Sequence, residues 1–150
     1  MMYRSVFLAT FLLLLNAGTT LATASKPLAS SCSLVQALIS KGGDGGVTEM
    51  ISQVQHWPSD KRAQLRALMA PEVGKFSYLS GEVYLVADFG EFMQEHLVVV
   101  EAAAFGTTYF RIVYEKFDGE LALAWITFQG GYTEISKLAF AQVPRKLSCD

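Results

Sequence analysis

The hydrophobic pattern of the chain changes period twice. Val6 to Leu15 is an almost unbroken apolar run, preceded by Arg4 and followed by Ala22-Thr23-Ala24. A positive residue, a short apolar stretch and small residues, in that order, read as a secretory leader cut before Ser25. The run covers about ten residues, half of the roughly 20 that a membrane-spanning helix requires. Residues 1–24 are therefore expected to be a cleaved signal peptide and residues 25–150 a single domain without a membrane span. Beyond the leader, apolar positions fall at helical spacing. Ser33 to Ser40 predicts a short helix, stopped by Gly42-Gly43-Asp44-Gly45-Gly46, since glycine disfavours any regular element. Val47, Met50, Ile51, Val54 and Trp57 then mark one helix face up to Pro58. Ser59 is placed to cap a third helix, with Asp60 in its first turn and Leu65, Leu68 and Met69 on its apolar side; Pro71 and Gly74 are expected to end it.

From Gly81 the composition turns β-branched and aromatic. Four strands are predicted: Glu82 to Ala87, Gln94 to Ala104, Thr107 to Lys116 and Leu121 to Gln129. Phe117-Asp118-Gly119-Glu120 joins the last two, because Asp-Gly accepts the positive φ angles of a type I′ turn. Setting Phe117 opposite Glu120 puts Tyr114 opposite Leu123, Ile112 opposite Trp125 and Phe110 opposite Thr127. That bulky face is the expected floor beneath the helices. The other face carries Tyr109, Arg111, Val113 and Glu115 against Ala122, Ala124, Ile126 and Phe128, and is also mostly apolar. Such a face needs a cover, most simply a symmetry mate packed sheet to sheet. Val98 and Val100 are expected to join it, with Glu101 diagonal to Arg111 as an ion pair. Thr133 to Phe140 reads as a short helix and Pro144 to Asp150 as a tail. The fold class is α+β, with N-terminal helices packed on a curved antiparallel four-stranded meander.

This layout, from Ser33 to Phe140, resembles the cone-shaped nuclear-transport-factor-like and cystatin-like superfamily. The stretch from Tyr109 to Gln129, YFRIVYEKFDGELALAWITFQ, is similar to the last long hairpin of that fold. The resemblance implies a pocket between helices and concave sheet, and dimerisation through the convex face. Its members include enzymes, ligand carriers and non-catalytic partners, so the fold does not fix a function. Catalytic members commonly place an Asp/His pair in the pocket, and no such pair can be matched to a defined position here.

Two cysteines are present, Cys32 and Cys149. In the oxidising compartment that export implies, whether periplasmic or extracellular, they are expected to form a disulfide. Leu28-Ala29-Ser30-Ser31-Cys32 loosely matches an acylation site. Ala29 stands where leucine is usual, however, and the cysteine lies well past the apolar run. No C-x-x-C pattern offers redox or zinc-thiolate chemistry. Loss of Arg4 with the leader leaves a net charge of about −3 without a basic face, which argues against nucleic acid as a partner.

Candidate chemistry is sparse. Asp88, Glu91, Glu95 and His96 cluster around Gly90; they read either as acid–base or weak metal-binding groups or as a solvated interstrand loop. Glu95 and His96 are adjacent, so on a strand they point to opposite faces. His56, next to Trp57 at a helix end, is expected to bind carbonyls. Asp44 alone cannot supply the roughly six to eight oxygens of a calcium site. Arg111 is either an anion anchor or the partner of Glu101 or Glu115. Tyr84, Phe110, Tyr114 and Trp125 either line an apolar pocket or form core, while Trp57, Phe89 and Phe92, at element ends, suit a pocket rim or partner surface. The resulting expectation is an exported, non-catalytic binding domain. Its ligand or partner surface comprises Trp57, Tyr84, Phe89, Phe92, Tyr114 and Trp125, facing a small apolar ligand or an envelope protein, with a homodimer through the second sheet face. No metal or cofactor is expected. The alternative is a small exported enzyme using Asp88, Glu101 and His96 in acid–base chemistry.

Overall fold

The glycine-rich run bends the first helix instead of stopping it. In the computed structural model, which describes residues 26–104, 106–131, 140 and 142–149, α1 runs Lys26–Gln53 with a kink at Gly42 (φ 70°, ψ −173°). The neighbouring glycines allow close approach. Gly43 N–H donates to Phe76 O at 2.8 Å, and a Cβ on Gly43 would stand 1.9 Å from Val73 O. The kinked helix can therefore keep burying Leu34 and Leu38 from its first half and Val47 and Met50 from its second. The expected leader, 1–24, lies outside the described residues, as does the expected helix from Thr133 except for Phe140.

The second helix, α2, is Ser59–Met69 and continues into a π-helical turn, Ala70–Gly74. Ser59 is its first helical residue, preceded by Pro58, and no side chain caps the helix; the expected cap is corrected to that extent. The regular α-helix stops at Met69, two residues before Pro71, and the π turn that carries it on ends at Gly74, where the stop was expected. Leu65, Met69 and Val73 are the residues this arm buries.

Among the described residues five antiparallel strands follow: β1 Tyr78–Asp88, β2 Met93–Ala102, β3 Gly106–Phe117, β4 Glu120–Gln129 and β5 Arg145–Leu147. They form one open sheet in the order β4-β3-β2-β1-β5. The fold is thus α+β, with helices first and the expected four-strand meander as β1 to β4. The predicted tail contributes a fifth strand, which pairs with Val83 to Leu85. Asp118 (φ 49°) and Gly119 (φ 84°) make the expected left-handed turn.

Register agrees with expectation at Phe117–Glu120 and Tyr114–Leu123, then slips by one. A bulge at Ala124 pairs Val113 with Trp125, Ile112 with Ile126 and Phe110 with Phe128. A one-residue slip exchanges the faces; Ile126 and Phe128 pack on the core, and Trp125 leaves it. Ala102 opposes Gly106, which puts Val98 opposite Phe110 and Val100 opposite Thr108. Both valines are buried in the core under the helices, not on the second face as expected. The same register puts Arg111 opposite Leu97 and diagonal to Glu95, so Arg111 pairs with Glu95 and not with Glu101. Glu101 instead accepts a hydrogen bond from Ser80 Oγ at 3.1 Å.

Val86 and Leu97 form the buried hydrophobic cluster of the second face, with Tyr84, Val99, Tyr109 and Phe140 packed against them. Phe140, 5.4 Å from the Arg111 guanidinium, supplies part of that cover from within the chain. Cys32 and Cys149 form a disulfide with a Cα–Cα distance of 5.5 Å across a sequence separation of 117. It joins α1 to the end of the chain just beyond β5. Among the described residues no helix is long and apolar enough to cross a membrane.

Candidate functional site

His96 lies on the core face of β2, between Leu85 and Ile112 on the neighbouring strands, and only 1 % of its surface is exposed. Ser31 of α1, fully buried, stands over it. Ser31 Oγ is 2.8 Å from His96 Nδ1 and 2.8 Å from the Tyr114 hydroxyl, while His96 Nε2 has no partner. Proton counting orients this chain. A proton on Nδ1 strands one hydroxyl proton, that of Ser31 or of Tyr114, and the Nε2 lone pair as well. A proton on Nε2 lets Tyr114 donate to Ser31 and Ser31 donate to Nδ1, stranding only the Nε2–H. The second arrangement leaves fewer buried groups unsatisfied. Burial lowers the His96 pKa to about 4, against a smaller opposing pull from the Asp88 carboxylate. It also raises that of Tyr114, with the Ser31 hydrogen bond opposing. Both groups are neutral at neutral pH and sealed in the core, so the cluster specifies packing and offers no accessible base.

The acidic candidates are dispersed. Asp88 Oδ1 accepts from Gly90 N–H at 2.9 Å within its own turn, and Glu91 pairs with Lys116 at 2.8 Å. Glu95 is buried against Arg111 on the second face, opposite in direction to His96. Asp88 opposes Gln94 at one end of the β1–β2 ladder and Ser80 opposes Glu101 near the other, with His96 in between and turned inward. Asp88, Glu101 and His96 are not brought together. Among the described residues no group of three His, Cys, Asp or Glu side chains is placed to hold a metal ion.

The aromatic candidates divide four ways. Tyr114 is core, and Tyr84 packs on the second face with its hydroxyl donating to Glu82. Phe89 and Phe92, 58 % and 64 % exposed, flank the β1–β2 turn, where the Lys116 ammonium lies 5.4 Å from the Phe92 ring. Trp57 and Trp125 come together. They line a groove of about 460 Å³ between α2 and β4, with Lys61, Leu65, Leu68 and Ile126.

Local structure explains the groove. Trp57 Nε1–H and His56 Nε2–H both donate to Leu123 O, each at 3.0 Å, which ties the start of α2 to the edge of β4. His56 thus binds a carbonyl, that of a strand and not of its own helix. The bulge at Ala124 then releases Trp125 from the core face to 46 % exposure. On α2, Leu65 and Met69 point inward while Leu68, three residues from Leu65, falls at the margin of the stripe and is 58 % exposed. Hollows of about 440 Å³ also lie beside the disulfide and beside Thr108 and Phe128. Neither gathers two exposed large apolar side chains as the α2–β4 groove does.

Ser31 and Leu68 were not singled out as site residues by sequence. Ser31 had a signal, since it precedes Leu34 and Leu38 by three and seven residues and so shares their buried face. No family model, curated protein or solved structure matches this chain.

Proposed function

We propose that the chain is an exported, non-catalytic domain that docks another protein in the groove between α2 and β4. The observation that carries this reading is the contrast between interior and surface. Phe110, Ile112, Tyr114 and Leu123 are buried between sheet and helices, with hollows toward the margins of that layer, whereas Trp57, Leu68 and Trp125 line an open apolar groove. A small-ligand carrier needs an enclosed cavity of several hundred cubic ångströms, and an enzyme needs convergent groups that a substrate can reach. The disulfide and the lack of a spanning helix among the described residues are compatible with export, and the leader pattern supports it. Helices preceding an antiparallel meander support membership of the nuclear-transport-factor-like and cystatin-like superfamily. A homodimer through the second sheet face is the less favoured docking mode, because Phe140 of the same chain already packs there.

The test is affinity capture from the exported fraction of the source cells, comparing wild type, Leu68→Glu and a Phe89→Ser/Phe92→Ser variant. Wild type and the phenylalanine variant are expected to enrich the same protein, and Leu68→Glu to lose it. Loss with the phenylalanine variant alone would move the docking surface to the β1–β2 turn. Native mass spectrometry revealing a stoichiometric small ligand, with no partner captured, would overturn the reading.

A further inference from the structure

We propose that the occupant of the groove is an extended segment of the partner, apolar with acidic residues, which adds to β4 as a further antiparallel or parallel strand. This rests on the docking reading above and names the chemistry of its partner.

Among the described residues β4 is the terminal strand of the sheet, hydrogen-bonded to β3 on one side. In an edge strand alternate residues turn N–H and C=O groups outward, a template for another strand. Here the edge is blocked at one point, Leu123 O, which already accepts from His56 and Trp57. The stretch from Trp125 to Gln129 continues past that block. At about 3.4 Å per residue it offers roughly 17 Å, the span of a short peptide segment. Leu65 and Leu68 of α2 form the facing wall of the groove. Every second side chain of an added strand would turn toward Trp57, Leu65 and Leu68 on the helix side, which selects apolar residues at alternate positions, and an intervening one would lie beside Trp125.

Charge selects the rest. The charged residue lining the groove is Lys61, on a helix that carries Lys61, Arg62 and Arg66 against a single acid, Asp60. An acidic residue beside the apolar ones complements that helix. A second copy of this chain does not. It would bring its own α2 alongside β4, setting two cationic helices against each other, and like charges across an interface oppose association.

The chain contains two tryptophans, Trp57 and Trp125, and both line the groove. Intrinsic fluorescence therefore reads the site directly. The probe is a short capped peptide, called valine–glutamate, whose groove-facing alternate positions are valines and one glutamate, with threonine between them; it is compared with its valine–lysine counterpart and with a valine–glutamate peptide N-methylated at alternate backbone nitrogens in either phase. The valine–glutamate peptide is expected to give a saturable fluorescence change and to slow amide exchange within residues 124–129. The lysine peptide should bind about tenfold more weakly, and at least one N-methylated phase should lose binding. Lys61→Glu should reverse the charge preference, and Leu68→Glu should abolish the response to the valine–glutamate peptide. Equal binding by both N-methylated peptides, or no change with any peptide, would overturn strand addition. If capture of a protein by wild type but not by Leu68→Glu persists in that case, docking stands and only its mode falls. A fluorescence change that depends on protein concentration without peptide would make a second copy the occupant and overturn the proposal.

Discussion

One hydroxyl, Ser31 Oγ, holds two of the largest polar side chains of the interior, His96 and Tyr114, each at 2.8 Å. Removing it leaves both without a partner in a place water does not reach. Ser31→Ala is expected to lower unfolding free energy by about 2–4 kcal/mol, read by urea denaturation, because each stranded buried group costs about 1–3 kcal/mol. The same cluster sets a pH dependence. The folded-state pKa of His96, about 4, lies below its ordinary 6.5. Above pH 6.5 neither state is protonated and stability is unaffected. As pH falls from 6.5 toward 4 the unfolded chain takes up a proton that the folded chain refuses, so stability declines by about 3 kcal/mol and the decline ends as the folded form titrates. His96→Gln should flatten the curve in that window, leaving the acid limb due to carboxylates below it; an unchanged curve would show that His96 does not titrate as described. The sequence placed His96 and Glu95 on opposite faces correctly, since that follows from strand alternation alone. It could not supply the partner, because Ser31 is 65 residues away and hydroxyls carry little information about burial.

At the scale of elements, local rules succeeded where they act alone. Asp118-Gly119 dictates a left-handed turn whatever surrounds it, and the hairpin formed as read. They failed where a tertiary contact outweighs propensity. Gly42 to Gly46 looks like a helix stop, yet Phe76 O, arriving from beyond α2, takes the Gly43 N–H, and Val73 O and Gly74 O occupy the space that a side chain on Gly43 would fill. Gly43→Ala is therefore expected to destabilise by about 1–3 kcal/mol or more, as overpacking against backbone does; a thermal melt within error of wild type would contradict the close approach. The bulge at Ala124 was illegible for a related reason. Nothing in Leu123-Ala124-Trp125 marks an inserted residue; the slip follows from where Ile126 and Phe128 find room in the core. That single slip decides whether Trp125 is floor or groove. β5 was missed because Arg145-Lys146-Leu147 is too short to show a period.

For the whole molecule, the covalent tie dominates. The disulfide closes a loop spanning 117 positions, and the chain-entropy model assigns such a closure about 5 kcal/mol. Cys32→Ser/Cys149→Ser, or reduction, should lower stability by up to about that amount, measured by chemical denaturation with and without reductant. The order of helices and strands and this pairing were legible in the sequence, since the first follows from hydrophobic period and composition and the second from there being two cysteines behind an expected leader. The way the two edges of the sheet are finished was not. One edge is tied by two ring N–H groups to a single carbonyl. The other is closed by three residues, which the bond to α1 holds in place. A three-residue strand has little hold of its own, so a chain kept in a reducing compartment would present β1 as a second sticky edge. Oxidation of this one pair therefore conceals an edge of the sheet that reduction would lay bare.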